Sequence, residues 1–267
     1  MILEHMDRRV LGAVSFIDAT TNLRILSPLS VKAEGVKLTR NRRGFYVIAT
    51  APGLETYSET FREQPALVAL GSVEVALDVI DPGMQYLPRR RVIRLPRDPS
   101  PANAGREDSL FRPVDVPLFP SPASATLPGW GLIRATIRER GTGNLLPWSL
   151  IRVTRNDNPP APPRVLAVGL ADSRGEALVP VPGIPITTWG ETPEAVVATD
   201  IDVTLEVVFD PEVKKIADAD ALAAGADPNA GYMPDPDVLR QRPASASLGI
   251  RLASGQTRVE TLFLNLA

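Results

Sequence analysis

Arg89, Arg90, Arg91, Arg94 and Arg97 make the densest basic cluster in the sequence. A guanidinium presents a planar fork of donors that matches carboxylates and phosphates, so Arg89, Arg90 and Arg91 are candidate contacts for an acidic partner surface or for phosphates. The competing reading is an edge strand guarded against aggregation by charge. The acidic run Asp218, Asp220, Asp227, Asp235 and Asp237 offers the oxygen ligands a hard ion such as calcium takes. Its spacing is not that of a calcium-binding helix–loop–helix, and Pro228, Pro234 and Pro236 interrupt it, so a solvated helix and turn is the preferred reading. Trp130, Trp148 and Trp189 all fall in the second half of the chain. Exposed indoles stack on sugars or anchor protein partners, and buried ones pack a core.

Other chemistries lack their parts. There is one histidine, His5, and no cysteine. A serine–histidine–aspartate triad therefore has no base at a plausible position, and thiolate or multi-histidine metal sites cannot be assembled. Carboxylates alone prefer hard ions, so no transition metal and no cofactor is expected. A serine–lysine pair is compatible with composition, but Lys32, Lys37, Lys214 and Lys215 stand in no recognisable catalytic motif. The expectation is a non-enzyme.

A formal charge of −2 gives no electrostatic reason for nucleic acid as a partner. No apolar run reaches the roughly 18–20 residues that cross a bilayer. MILEH before Met6 reads as a cloning remnant, residues 1–5, and the start lacks a secretory pattern. The expected location is the cytoplasm, within an assembled particle, unless a secretion signal preceded Met6.

The elements that must carry these residues are strands. With 27 prolines and 19 glycines in 267 residues, the chain favours short strands and many turns, in two domains. The stretch RRGFYVIATAPGL, Arg42–Leu54, reads as a turn at Arg43-Gly44, a strand, and a second turn at Pro52-Gly53. Ser72–Ile80 alternates strictly, with Val73, Val75, Leu77 and Val79 on one face. Val114–Phe119 is punctuated by proline and reads as an edge strand. Leu248–Leu252 and Arg258–Leu264 read as a closing hairpin around Ser254-Gly255. Glu212–Ala224 reads as a helix inserted in the second domain, with Ile216 and Leu222 as anchors for a partner.

Landmarks recur in order. Thr20-Thr21-Asn22-Leu23 matches Thr142-Gly143-Asn144-Leu145, and Arg43-Gly44 through Pro52-Gly53-Leu54 matches Arg174-Gly175 through Pro182-Gly183-Ile184. Asp81-Pro82 matches Asp210-Pro211, Tyr86-Leu87-Pro88 matches Tyr232-Met233-Pro234, and Ile93-Arg94-Leu95 matches Ile250-Arg251-Leu252. The recurrence divides the chain into residues 6–120, a linker at 121–129, and residues 130–267, with each Arg-Gly turn expected at the same hairpin.

A strand, a turn near a threonine-rich asparagine, a second strand, then Asn/Asp-x-x-Gly, a β-rich run and Pro-Gly resembles the carboxypeptidase-regulatory-like modules. The resemblance implies two tandem transthyretin-like, antiparallel Greek-key β-sandwiches, an all-β fold with one short inserted helix. On function the motif is nearly silent. The missing catalytic groups and the duplicated scaffold with proline-rich loops lead to the expectation of a non-catalytic structural or adaptor protein that acts through protein–protein contacts or self-association. Tandem modules like these also resemble accessory proteins near phage-tail-like contractile particles in bacteria, which implies such an assembly as the setting. The alternative is a carbohydrate-binding or adhesion module using the tryptophans.

Overall fold

The computed structural model describes residues 9–59, 68–187, 197–198, 200–213, 215 and 233–266. The fold is all-β; among the described residues the α-helices are two single turns, Glu55–Glu59 and Pro236–Leu239. The chain forms two compact units: Met1–Asp18, Asn22–Pro82 and Pro88–Leu118; and Ala19–Thr21, Gly83–Leu87 and Phe119–Ala267.

The first unit holds β1 (Gly12–Asp18), β2 (Ser30–Lys32), β3 (Lys37–Arg40), β4 (Tyr46–Thr50), β5 (Val73–Ile80), β6 (Arg89–Leu95) and β7 (Val114–Leu118). They make two sheets, in the orders β3-β4-β1-β7 and β2-β5-β6. The strict alternation of β5 buries Val75, Leu77 and Val79 and turns Glu74, Ala76 and Asp78 to solvent, as a half-buried strand must. Phe16 and Tyr46 pack edge to face across β1 and β4, centroids 5.2 Å apart. The Tyr46 hydroxyl donates to the Leu29 carbonyl at 3.0 Å and accepts from the Leu29 amide at 2.9 Å, pinning the approach to β2.

The second unit holds β8 (Gly131–Glu139), β9 (Leu150–Arg155), β10 (Arg164–Leu170), β11 (Glu176–Val181), β12 (Ile186–Thr187), β13 (Val197–Ala198), β14 (Ile201–Val208), β15 (Ala246–Leu252) and β16 (Thr257–Leu264). Its sheets run β10-β9-β14-β15 and β11-β8-β16, with a small β12-β13 ladder. One β-sandwich-like core gathers Ile133, Ile137 and Val179 from one sheet and Val153, Leu205 and Leu252 from the other.

The two units share their pairings residue by residue. Val14 faces Tyr46 on the antiparallel β1–β4 ladder as Ala135 faces Ala177 on β8–β11. Phe16 faces Val116 on the parallel β1–β7 ladder as Ile137 faces Leu262 on β8–β16. Glu74 faces Arg94 as Asp202 faces Arg251. The Arg-Gly turns are built alike. The Asn41 side chain accepts from the amides of Arg43 and Phe45 at 2.9 and 3.0 Å, and Asp172 accepts from those of Arg174 and Glu176 at 2.8 and 3.0 Å. Gly44 and Gly175 follow at φ +84° and +72°, a left-handed position that suits a residue with no Cβ.

Several sequence expectations change here. β15 and β16 are not a hairpin: β15 pairs with β14, β16 pairs in parallel with β8, and the Ser254-Gly255 turn carries the chain from one sheet to the other. The Arg-Gly turns do not close the same hairpin. β3 and β4 pair, whereas β10 leaves for β9, keeping only the Ala171–Ala177 bridge to the β11 side. The first landmark slips by one residue. The amide of Asn22 bonds the Asp18 carbonyl as the amide of Gly143 bonds that of Glu139, so Asn22 corresponds to Gly143. Residues 211–213 form a turn after Asp210 with Val213 buried, not the first turn of a helix. The remainder of the expected helix, with Ile216 and Leu222, lies outside the described residues apart from Lys215, whose ammonium meets Glu139 at 2.6 Å. Within the stretch expected as a linker, Ser121 is bonded to Gln85 and Met84, and the Pro122 carbonyl accepts from Arg134; these bonds do not bear on where the domain boundary falls.

Candidate interaction edge

β6 alternates, so the arginine cluster is divided between its two faces. Arg90 and Arg94 point outward and pair across the strand with Asp78 at 2.7 Å and Glu74 at 3.0 Å. The Asp78 carboxylate holds the Arg90 guanidinium above its ordinary pKa by a direct hydrogen bond. Arg97 donates to the carbonyls of Ser109 and Glu107, and burial lowers its pKa against the opposing pull of Asp108 and Glu107. Arg89 points inward. At 2 % exposure it is the largest fully buried side chain, and it donates to the Pro117 carbonyl on β7. Arg89 is therefore unavailable to a partner, and Arg91 shares its inward face, half-buried. Of the three arginines proposed as contacts, only Arg90 stands in solvent. Sequence reasoning missed the structural role of Arg89. The signal was present, because Arg89 shares its strand parity with Ile93 and Leu95.

The tryptophans are also divided. Trp148 is 6 % exposed in the second core, at φ +55°, with its indole N–H buried and without a protein hydrogen-bond partner. Trp130 is half-buried, and Trp189 lies outside the described residues. Among the described residues, no two exposed indoles stand together.

On the outer face of the β9-β14-β15 sheet, Thr154, Thr204 and Gly249 line up across three strands. The missing side chain at Gly249 leaves an open groove of about 420 Å³, bordered by Asn156 and the Asp202–Arg251 pair. Its charged pair is already satisfied within the sheet, and its other polar groups are hydroxyls and one amide. Among the described residues, no cluster of three or more histidine, cysteine or carboxylate side chains suits a metal ion, and no helix is long and apolar enough to cross a membrane.

The sheet edges differ most between the units. β7 and β16 occupy equivalent edges, each in parallel beside the central strand. On β7, Pro117 has no N–H, and its carbonyl is taken by Arg89, so the edge offers little for another strand. On β16, Phe263 stands where Pro117 does, and Ala246 stands where Arg89 does. The Gln256 carbonyl accepts from Leu132 on β8 and the Leu264 carbonyl from Arg140 just past its end, which directs the N–H and C=O groups of Thr257, Val259, Thr261 and Phe263 to the open side. Val259 is 75 % exposed and Phe263 44 %. Such an edge can add a strand by main-chain hydrogen bonds.

No family model, curated protein or solved structure matches the chain.

Proposed function

We propose that this chain is a non-catalytic structural or adaptor protein that makes protein–protein contacts through a sheet edge, and that it is built on one transthyretin-like plan used twice. The observation that carries the reading is β16, an eight-residue edge strand with no proline and with Val259 and Phe263 exposed. Edge strands are ordinarily blocked, as β7 is by Pro117 and Arg89, so an unblocked one is a site for pairing. The matched ladders of the two units support the duplicated plan. A bacterial, phage-tail-like particle as the setting rests on the family resemblance alone. Sugar binding by tryptophan has no support in the described residues, where Trp148 is buried and Trp130 half-buried.

The test is recovery of the full chain from its native source. An adaptor sediments in a complex larger than the chain itself, and Val259→Pro lowers that fraction. Sedimentation of the wild type as a free monomer under all native conditions overturns the reading.

A further inference from the structure

We infer that β16 pairs with β16 of a second copy of this chain, antiparallel and centred on Val259, so that two sheets become one across a two-fold axis. The inference rests on the structural role proposed above and names the partner of the same edge. The hydrogen-bonding parity sets the first condition. In antiparallel pairing, two residues that both face the open side exchange N–H and C=O bonds. Thr257, Val259, Thr261 and Phe263 are the residues of β16 that face it. A two-fold on Val259 sets Val259 against its own copy and Thr257 against Thr261, giving about six main-chain hydrogen bonds in all.

Charge sets the register. Arg258 and Glu260 flank Val259 on the other face of the strand. With the axis on Val259, each Arg258 stands directly opposite the other copy's Glu260, in a non-hydrogen-bonded pair where side chains come closest. Moving the axis to Thr261 sets Arg258 against Leu264 and Glu260 against Leu262, which leaves both charges facing apolar groups. Moving it to Thr257 sets Arg258 against Gln256 and Glu260 against Ser254, and the ion pairs are lost. Only the Val259 axis makes the strand complementary to itself, as a two-fold interface requires. The edge is clear of the devices that block its counterpart: β7 carries Pro117 with Arg89 on its carbonyl, and β16 carries neither.

The absence of native cysteine makes the register directly measurable. In the full chain, Val259→Cys places two thiols across the axis within the roughly 4.4–6.8 Å Cα separation that a disulfide spans. Thr257→Cys and Thr261→Cys place each thiol beyond that reach from its own copy. Under mild oxidation, Val259→Cys should give a covalent dimer at least tenfold faster than either neighbour. By sedimentation over a concentration series, the wild type should dimerise, and Arg258→Glu should weaken the dimer about tenfold. Arg258→Glu combined with Glu260→Arg should restore it. The charge swap keeps the test decisive should a proline at position 259 disturb folding. A monomeric wild type, or equal cross-linking at the three positions, overturns self-pairing. If the monomeric chain is nonetheless recovered in a larger native complex that Val259→Pro depletes, the edge takes a strand of another protein, and only the identity of the partner fails.

Discussion

The first unit closes the edge beside its central strand, and the second leaves the equivalent edge open. The difference comes down to two positions. Pro117 and Arg89 in the first unit become Phe263 and Ala246 in the second, on ladders that otherwise correspond pair for pair. A second difference lies at the other end of the sheets, where β3 stays with β4 and β10 crosses to β9. The lesson is that ladder registers and turn chemistry hold a plan in place while single side chains decide what its edges do.

Arg89 is the point where breaking the comparison should cost most. Arg89→Ala removes a charged hydrogen bond to the Pro117 carbonyl and the packing of a buried aliphatic stem, about 2–4 kcal/mol together. Hydrogen exchange should show β5 and β6 losing protection while β14 and β15 keep theirs. Arg89→Met retains most of the volume and removes the buried charge, so it should cost less than half as much. Equal losses for the two variants would mean that the guanidinium, not the stem, holds the edge.

The strand that switches sheets gives the next effect. A Cβ added at Gly169 would fall against Val179 Cγ2, with the other Val179 carbons at 3.2 and 3.3 Å. Glycine lets β10 pass close over β11 at the position where the first unit has Leu38 within its ladder. Gly169→Ala should destabilise by about 1–3 kcal/mol through overpacking, since Val179 is fully buried. Adding Val179→Ala should recover part of that loss, a coupling that a double-mutant cycle measures. Additive losses would show that the glycine serves something other than this crossing.

Much of this plan was legible in the chain. Period-two alternation located β5, and the Ile93-Arg94-Leu95 match to Ile250-Arg251-Leu252 is the true structural register. What remained hidden is non-local. A Ser-Gly turn between two strands reads as a hairpin whether they pair with each other or, as β15 and β16 do, with β14 and β8. Arg89 looked like surface because arginine usually is, and the β7 carbonyl it bonds lies 28 residues further along the chain. The open edge was equally hidden, because its meaning depends on a blocked counterpart far away in sequence.

The turns should behave alike in both units. Asn41→Ala and Asp172→Ala each remove a side chain that accepts from two backbone amides, and each should cost about 1 kcal/mol. Asp172→Asn should be close to neutral, because Asn41 already performs the same task.

The equivalence of Asp18 and Glu139 offers a pH test. Glu139 accepts from Lys215 and Thr142, both at 2.6 Å, and these bonds hold its pKa below the usual carboxylate range. A depressed folded pKa means the stabilisation is present above the unfolded value and is lost as pH falls through the folded one. Glu139→Gln should therefore flatten the acid limb of the stability profile in the second unit. An unchanged acid limb would remove the carboxylate from the account.

The smallest expected effect tests the matched ladders most closely. Glu74–Arg94 and Asp202–Arg251 are the same cross-strand pair in two sheets, at 3.0 and 3.2 Å. Both are well exposed, so water and salt screen them, and each should show a coupling of only about 0.2–1 kcal/mol. Double-mutant cycles to alanine at low salt should give two values within error of one another, since strand position and solvation are shared. Raising the ionic strength should reduce both together. Arg251 has one further tie: its carbonyl accepts from Arg258 Nε at 2.9 Å. If that bond orders the Arg251 backbone, removing it with Arg258→Ala should lower the second coupling and leave the first untouched. A second coupling that stays large and insensitive to salt would mean that Asp202 and Arg251 meet a group beyond their own sheet, and the groove beside Gly249 would be the place to look for it.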